Sequence, residues 1–218
     1  MMAVVALLSP LLAAEMVPIK TALPTPARWP SSAVDTGSAK NMEPPRNDKP
    51  YPQILVPAGC DQLLSKGRKV TSSDPSPVVG ALSFVTDGEK EEVVADDVRL
   101  VLHAGLQWVQ IDLGAKREIH AVWLWHSFSP RIRVYLDVVV QVSDDPDFMD
   151  DVVTVFNNDH DNSARLGVGK DFEYVETHEG RPIPANGVKG RYVRCYSNGN
   201  IRDASNAYVQ VEVFGRKE

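Results

Sequence analysis

The stretch "QWVQIDLGAKREIHAVWLWH", Gln107–His126, decides the fold. In its first half Val109, Ile111 and Leu113 alternate with Trp108, Gln110 and Asp112, the two-residue period of a strand with one buried face. In its second half Ile119, Ala121, Trp123 and Trp125 oppose His120, Val122, Leu124 and His126, and both sets are largely apolar. A strand apolar on both faces belongs in the centre of a sheet, covered on each side. Working outward, "VYLDVVVQVS" places Val134, Leu136, Val138, Val140 and Val142 on one side. "GRYVRCYS" and "AYVQVEVFG" repeat the pattern, with Val193 and Cys195, then Val209, Val211 and Val213, facing inward. The runs are rich in Val, Ile, Tyr and Trp and end in "SDP", "TDG", "DDPD" and "SNGN", which carry turn chemistry. Helical periodicity is almost absent after residue 58. Many short strands without intervening helices predict an all-β, antiparallel jelly-roll β-sandwich.

Ahead of these strands the chain changes character. Ala3 to Ala14 is a mostly apolar run of 12 residues, too short for a bilayer at about 20 residues. The small pair Ala13-Ala14 follows it, as in a secretory signal, although no Lys or Arg precedes the run. Residues 1–14 are therefore assigned as a signal segment, and the protein is expected to be secreted, periplasmic or on the cell surface. Residues 15–57 contain nine prolines and no apolar period. Each proline fixes φ and removes a donor, so this segment is expected to be an extended or disordered linker holding the domain at 58–218 away from something.

The 218 residues carry a formal charge of −6, and residues 58–218 hold 18 Lys plus Arg against 25 Asp plus Glu. A nucleic-acid partner would need the opposite sign, and anionic membrane lipid is disfavoured for the same reason. Two cysteines, Cys60 and Cys195, stand near the two ends of the folded part. In an exported protein they form a disulfide; as a buried thiol, Cys195 packs as a small hydrophobe beside Val193. Both readings stand at this stage.

Six segments occur together in a fixed order: "GRKVTSSD", "VTDG", "QWVQIDLG", "VVVQVSDDPDF", "GRYVRCYSNG" and "AYVQVEVFG". In this order and spacing the chain resembles the discoidin-like (coagulation-factor type C) domain of the galactose-binding-like fold, in its bacterial exported form, over about residues 60–215. The resemblance implies a non-catalytic binding module that uses loops at one end of the sandwich, for glycans or polysaccharides above all. A protein-interaction, adhesion or structural role without glycan binding is the alternative. The loop "WHSFSPRIRVY" then supplies Arg131 as a planar donor fork, Trp125 or Phe128 as an aromatic face for a sugar ring, and His126 as donor and acceptor. Galactose-binding relatives place an Asn five residues after the Arg; here that residue is Leu136, so a galactose preference does not carry over. The resemblance also implies a structural calcium at the "DG" turn, with Asp87, Glu89 and Gln210 as ligands, although the Gln210 amide brings no charge. No cofactor is otherwise required.

The polar run "NNDHDNSARLG", Asn157–Gly167, is tested against metal chemistry first. A calcium loop of the EF-hand kind starting at Asp159 needs Gly at its sixth position and Glu at its twelfth, where this chain has Ala164 and Lys170. Zinc needs several close His or Cys, and His160 stands alone in the run. The run reads as a long inter-strand loop whose Asn and Asp side chains bond their own backbone, with Asn158 and His160 as candidate sugar contacts. GxSxG, HExxH, phosphate-cradling and dinucleotide motifs are missing, so catalysis is not expected.

Overall fold

A computed structural model describes residues 14–27, 37–47, 49–93 and 98–217. The apolar run of the assigned signal segment lies outside these residues except for Ala14. The strands are β1 (Met16–Pro18), β2 (Leu55–Pro57), β3 (Gln62–Leu63), β4 (Lys69–Ser72), β5 (Leu100–Leu102), β6 (Gln107–His126), β7 (Val139–Ser143), β8 (Val153–Asn157), β9 (Arg181–Ser197) and β10 (Asn206–Gly215). One 3₁₀ turn, Leu82–Thr86, is the only helical element among the described residues.

β6 and β9 run antiparallel along their whole lengths and bend together, so each serves two layers. In the first layer β4, the start of β6, the end of β9, β7 and β8 lie in order. In the second, β3 and β5 pair with β10, β10 with the end of β6, and that with the start of β9. Strands that change sheet at a bend are how such sandwiches turn their corners. At this corner Gly114 takes φ +85°, a left-handed backbone that other residues adopt at a cost. Arg191 pins the bend by a bidentate fork onto Asp112, Nε to Oδ1 at 2.7 Å and Nη2 to Oδ2 at 2.8 Å.

The core between the layers contains Val109, Ile111 and Leu113 from β6, Val193 and Cys195 from β9, Val140 and Val142 from β7, and Val211 and Val213 from β10, as the two-residue period predicts. Two bulges alter that pattern. A register break between Ile119 and Ala121 turns Ile119, Val122 and Leu124 inward together and sends Ala121 to the outer face. A second break, between Tyr208 and Gln210, puts Tyr208 into the core and Val209 outside, against Trp125 and Phe128. Val209 was expected inside; one extra residue reverses the facing of its neighbours.

The described parts of the proline-rich segment are extended, and they pack on the sandwich. β1 and β2 form a small antiparallel ribbon, and Ile19 and Val56 pack with Cys60, Ala121 and Phe214 on the outer face of the second layer. Further along, Lys40 and Asn41 donate their backbone N–H groups to Glu173 Oε2, each at 2.7 Å, and Glu43 accepts Arg181 Nη1 at 2.6 Å. The outer apolar face of β6 and β10 is thus covered by this chain's own N-terminal residues. The expected disulfide is absent: both thiols are free and buried. Cys195 lies between the layers and Cys60 on the outer face, so a sheet separates them.

Candidate functional site

β6 ends at His126 and β7 starts at Val139, and the chain between them forms the loop read as ligand-binding. Its second half pairs with the loop after β9. Ile201 N–H donates to Val134 O at 3.1 Å, Leu136 N–H to Gly199 O at 3.1 Å and Asn198 N–H to Leu136 O at 2.9 Å. Leu136, which stands where a galactose-type Asn would be, is held in this pairing. Its first half rests on Glu92, a carboxylate only 2 % exposed. Glu92 Oε2 accepts the backbone N–H groups of Phe128 at 2.7 Å and Ser129 at 3.1 Å, while Oε1 accepts the Ser127 hydroxyl and pairs with Arg99 at 3.3 Å. Burial pushes the Glu92 carboxyl upward, and these donors oppose the shift. Arg133 braces the loop from the other side, Nη1 donating to Ser127 Oγ and Ser129 O, both at 3.1 Å. Four donors and a brace make the backbone under residues 127–129 a rigid base.

Arg131 stands at the tip of that base. It is exposed and makes no hydrogen bond or ion pair with the described residues. Arg202 from the neighbouring loop lies beside the tip, its Nε donating to Ile132 O at 3.1 Å. Asn206, at the start of β10, holds the loop before β6 by donating from Nδ2 to His103 O at 2.8 Å and Gly105 O at 2.9 Å. That loop exposes Leu106 and the His103 ring. The same end of the sandwich therefore presents cationic forks, an imidazole and a small apolar surface on a fixed frame.

The other predicted contacts do not join Arg131. Trp125 is wholly buried on the outer face, stacked on Trp123 at 5.8 Å with the Lys90 ammonium 4.2 Å above its ring. Its Nε1 donates to His178 O at 3.0 Å, and Gly180 packs so closely on the indole that a Cβ there would lie 2.5 Å from it. Phe128 is buried in the same outer cluster. His126 is buried too, with Nδ1 2.8 Å from Glu176 Oε1 and its ring stacked on Tyr135 at 4.2 Å. Trp125, Phe128 and His126 thus build the floor and the wall under the loop. Asn158 is a clamp: its Oδ1 accepts Val138 N–H at 2.7 Å while its own N–H donates to Val138 O at 3.0 Å. His160 alone among the remaining candidates is partly exposed, and no contact ties it to the Arg131 loop.

The polar run bonds its own backbone as its composition predicts. Asn157 Oδ1 accepts Asp159 N–H at 2.8 Å, and Asp159 accepts Ser163 N–H at 3.0 Å and Ala164 N–H at 2.9 Å. Asn162 Oδ1 accepts Gly167 N–H at 2.8 Å. Carboxylate oxygens of Asp137, Asp159 and Asp161 lie within 4.8 Å of one another. Serine and asparagine donors satisfy them, Ser163 Oγ and Asn198 Nδ2 each reaching Asp137 Oδ2 at 2.8 Å.

The oxygens of two expected calcium ligands already accept backbone donors, and the third residue is exposed. Asp87 Oδ1 accepts Glu89 N–H at 2.8 Å in a local turn, Gln210 Oε1 accepts Gly88 N–H at 3.2 Å, and Glu89 points to solvent. Ammonium groups occupy the neighbourhood instead. Lys66 Nζ donates to Asp87 O at 2.5 Å, and buried Lys90 Nζ lies 2.7 Å from Glu212 Oε1 and 2.9 Å from Thr21 Oγ1. A dication would face the Lys66 ammonium and oxygens that already accept backbone donors. Asp87, Glu89 and Gln210 do not fit calcium.

A concave feature lies between the N-terminal segment and the loop before β9. It is a cleft of about 1010 Å³ whose walls include Met42, Pro44, Pro45, Phe172 and Val175, with Arg46 at its side. Sequence reasoning missed it because a linker was not expected to form a wall. It missed Glu92 and Arg202 as well; the "NGN" turn before Arg202 was the available signal.

The strands and their pairing define the class by fold alone: a two-layer antiparallel β-sandwich, the fold of CBM32 modules. Solved structures agree. A CBM32 module (CBM32-5) from Clostridium perfringens, in complex with GalNAc-β-1,3-galactose, matches with a TM-score of 0.51 and 15 % identity over 71 % of this chain and 100 % of that one. The Clostridium perfringens family 89 glycoside hydrolase in complex with GlcNAc-α-1,4-galactose matches with a TM-score of 0.52 and 15 % identity over 71 % of this chain and 14 % of that one. A chitosan-binding module of a Paenibacillus chitosanase/glucanase is 19 % identical over 71 % of this chain and 99 % of its own, with a TM-score of 0.47. No family model matches the sequence, and no curated protein does. At these identities the likeness is one of fold.

Proposed function

We propose that this protein is a non-catalytic, exported carbohydrate-binding module that holds a glycan at the end loops carrying Arg131. One observation carries the reading: an exposed guanidinium without a partner among the described residues stands on a loop whose backbone is fixed from below by Glu92 and Arg133. A planar fork held in place can donate to two vicinal hydroxyls, or to a carboxylate, without first losing an internal contact. Arg202 and His103 extend the polar surface, and Leu106 offers an apolar edge to a sugar face. The sugar complex of the CBM32 module supports the choice of ligand class.

Affinity electrophoresis and calorimetry against a panel of polysaccharides test this. Binding should fall at least about tenfold in Arg131→Ala, the loss of one charged hydrogen-bonding group. Unchanged binding in that variant removes the site. The cleft beside Phe172 favours the second reading, a protein-interaction module, because prolines, Met42 and Phe172 present an apolar wall with charged edges. If Phe172→Ala abolishes binding to a protein partner while every glycan is negative, that reading replaces the first.

A further inference from the structure

We propose that Cys60, Glu118 and His120 form a binding site for a thiophilic divalent metal ion, zinc by its chemistry, on the side of the sandwich covered by the N-terminal segment. A thiol sulfur, a carboxylate oxygen and an imidazole nitrogen from these residues all lie within 4.8 Å of one another. The three come from two parts of the fold. Cys60 sits in the turn after β2, its N–H bonded to Pro57 O at 2.9 Å, and Glu118 and His120 are alternate residues of β6. The bulge after Ile119 sets the direction of His120, whose Nε2 lies 2.7 Å from Glu118 Oε1.

The donor set selects the ion. Calcium and magnesium take six or more oxygens, whereas one sulfur, one imidazole and one carboxylate suit a borderline-soft, four-coordinate ion with water in the last position. Arg216 Nη2 donates to Cys60 Sγ at 3.3 Å, the kind of outer partner that metal-bound sulfurs keep. The Arg216 backbone is tied to the same place, its N–H donating to Glu118 O at 3.0 Å. There is an entry route: Arg216 is exposed, and the Glu118 side chain is 32 % exposed while Cys60 is fully buried. Binding releases the thiol proton to solvent, and the Nε2 proton that His120 shares with Glu118 moves to Nδ1 or, from an imidazolium, to solvent, so that this hydrogen bond is exchanged for two metal bonds. This site is separate from the Arg131 loops and stands whether or not they bind sugar.

The test titrates the reduced, metal-free full-length chain with cobalt(II). The site predicts a near-ultraviolet thiolate-to-cobalt charge-transfer band together with the visible bands of a four-coordinate ion, one cobalt per chain, discharged by zinc. Cys60→Ser should abolish the charge-transfer band and Cys195→Ala should retain it. Glu118→Gln and His120→Gln, which keep the buried thiol in place, should weaken cobalt binding by more than the roughly 10–100-fold that outer partners cost. Absence of the band in the wild-type chain, or its persistence in Cys60→Ser, overturns the assignment. Retention of full affinity in both Glu118→Gln and His120→Gln does so as well.

Discussion

Removal of the N-terminal segment gives the largest expected effect on stability. In a chain starting at Ala58, Ile19 and Val56 are gone, and with them the cover over Ala121, Phe214 and Cys60. Ile19 is 5 % exposed and Val56 2 % in the intact protein. Full burial of such a side chain is worth about 1.5–3 kcal/mol, so these two alone supply roughly 3–6 kcal/mol. Loss of Thr21 and Glu43 also removes partners from Glu212 and Arg181. Against a typical domain stability of about 5–15 kcal/mol, the shortened chain should be marginal. For a domain of this size about 3–6 kcal/mol corresponds to a fall in Tm of roughly 6–24 °C. Paired thermal and urea melts of the full and shortened chains measure it, with dye binding reporting the uncovered apolar face. Equal melting temperatures and equal urea midpoints would refute the packing role and restore the segment to a spacer.

Other outcomes follow from single contacts. Lys90→Met leaves Glu212 buried and unpaired, which should cost about 3–5 kcal/mol, and the double variant Lys90→Met/Glu212→Leu should recover much of it in urea melts. Backbone N–H groups of His103 and then Ser76 hold the Asp74 carboxyl below its ordinary range. A lowered folded pKa contributes stability above the unfolded value of about 3.9, lost as pH falls through the folded value. Asp74→Asn should therefore flatten the acid limb of a Tm-against-pH curve below about pH 4. Burial pushes the Cys195 thiol up to about 12, so a thiol reagent at neutral pH should leave it unmodified in the native chain and modify it in urea. Without a reductant, two thiols per unfolded chain should still be counted.

The antiparallel β-sandwich and most of the core were legible because period-two alternation survives wherever pairing is regular, as in Val109–Leu113 and Val193–Cys195. What failed turned on single-residue shifts. The bulges near His120 and Val209 reassign faces, and alternation alone carries no signal for them. Trp125 reads as a sugar platform from its place beside Arg131; its burial depends on Lys90, Gly180 and the loop before β9, all distant in sequence. The N-terminal segment was misjudged for a related reason. Proline excludes helix and central strand, yet an extended chain can still dock its few apolar residues, here Ile19 and Val56, on a sheet face. Arg131 was proposed from the resemblance of its loop; its exposure, and its lack of a partner among the described residues, depend on the fold around it.

The most direct test of glycan recognition at these loops is amide chemical-shift mapping during titration with an oligosaccharide. The probe is taken from whichever polysaccharide the full chain retains in affinity electrophoresis. Perturbations concentrated in residues 127–134 and 198–206, and lost in Arg131→Ala, are the predicted result. Retention of no polysaccharide, or perturbations confined to residues 42–49 and 172–179 along the cleft, would contradict it.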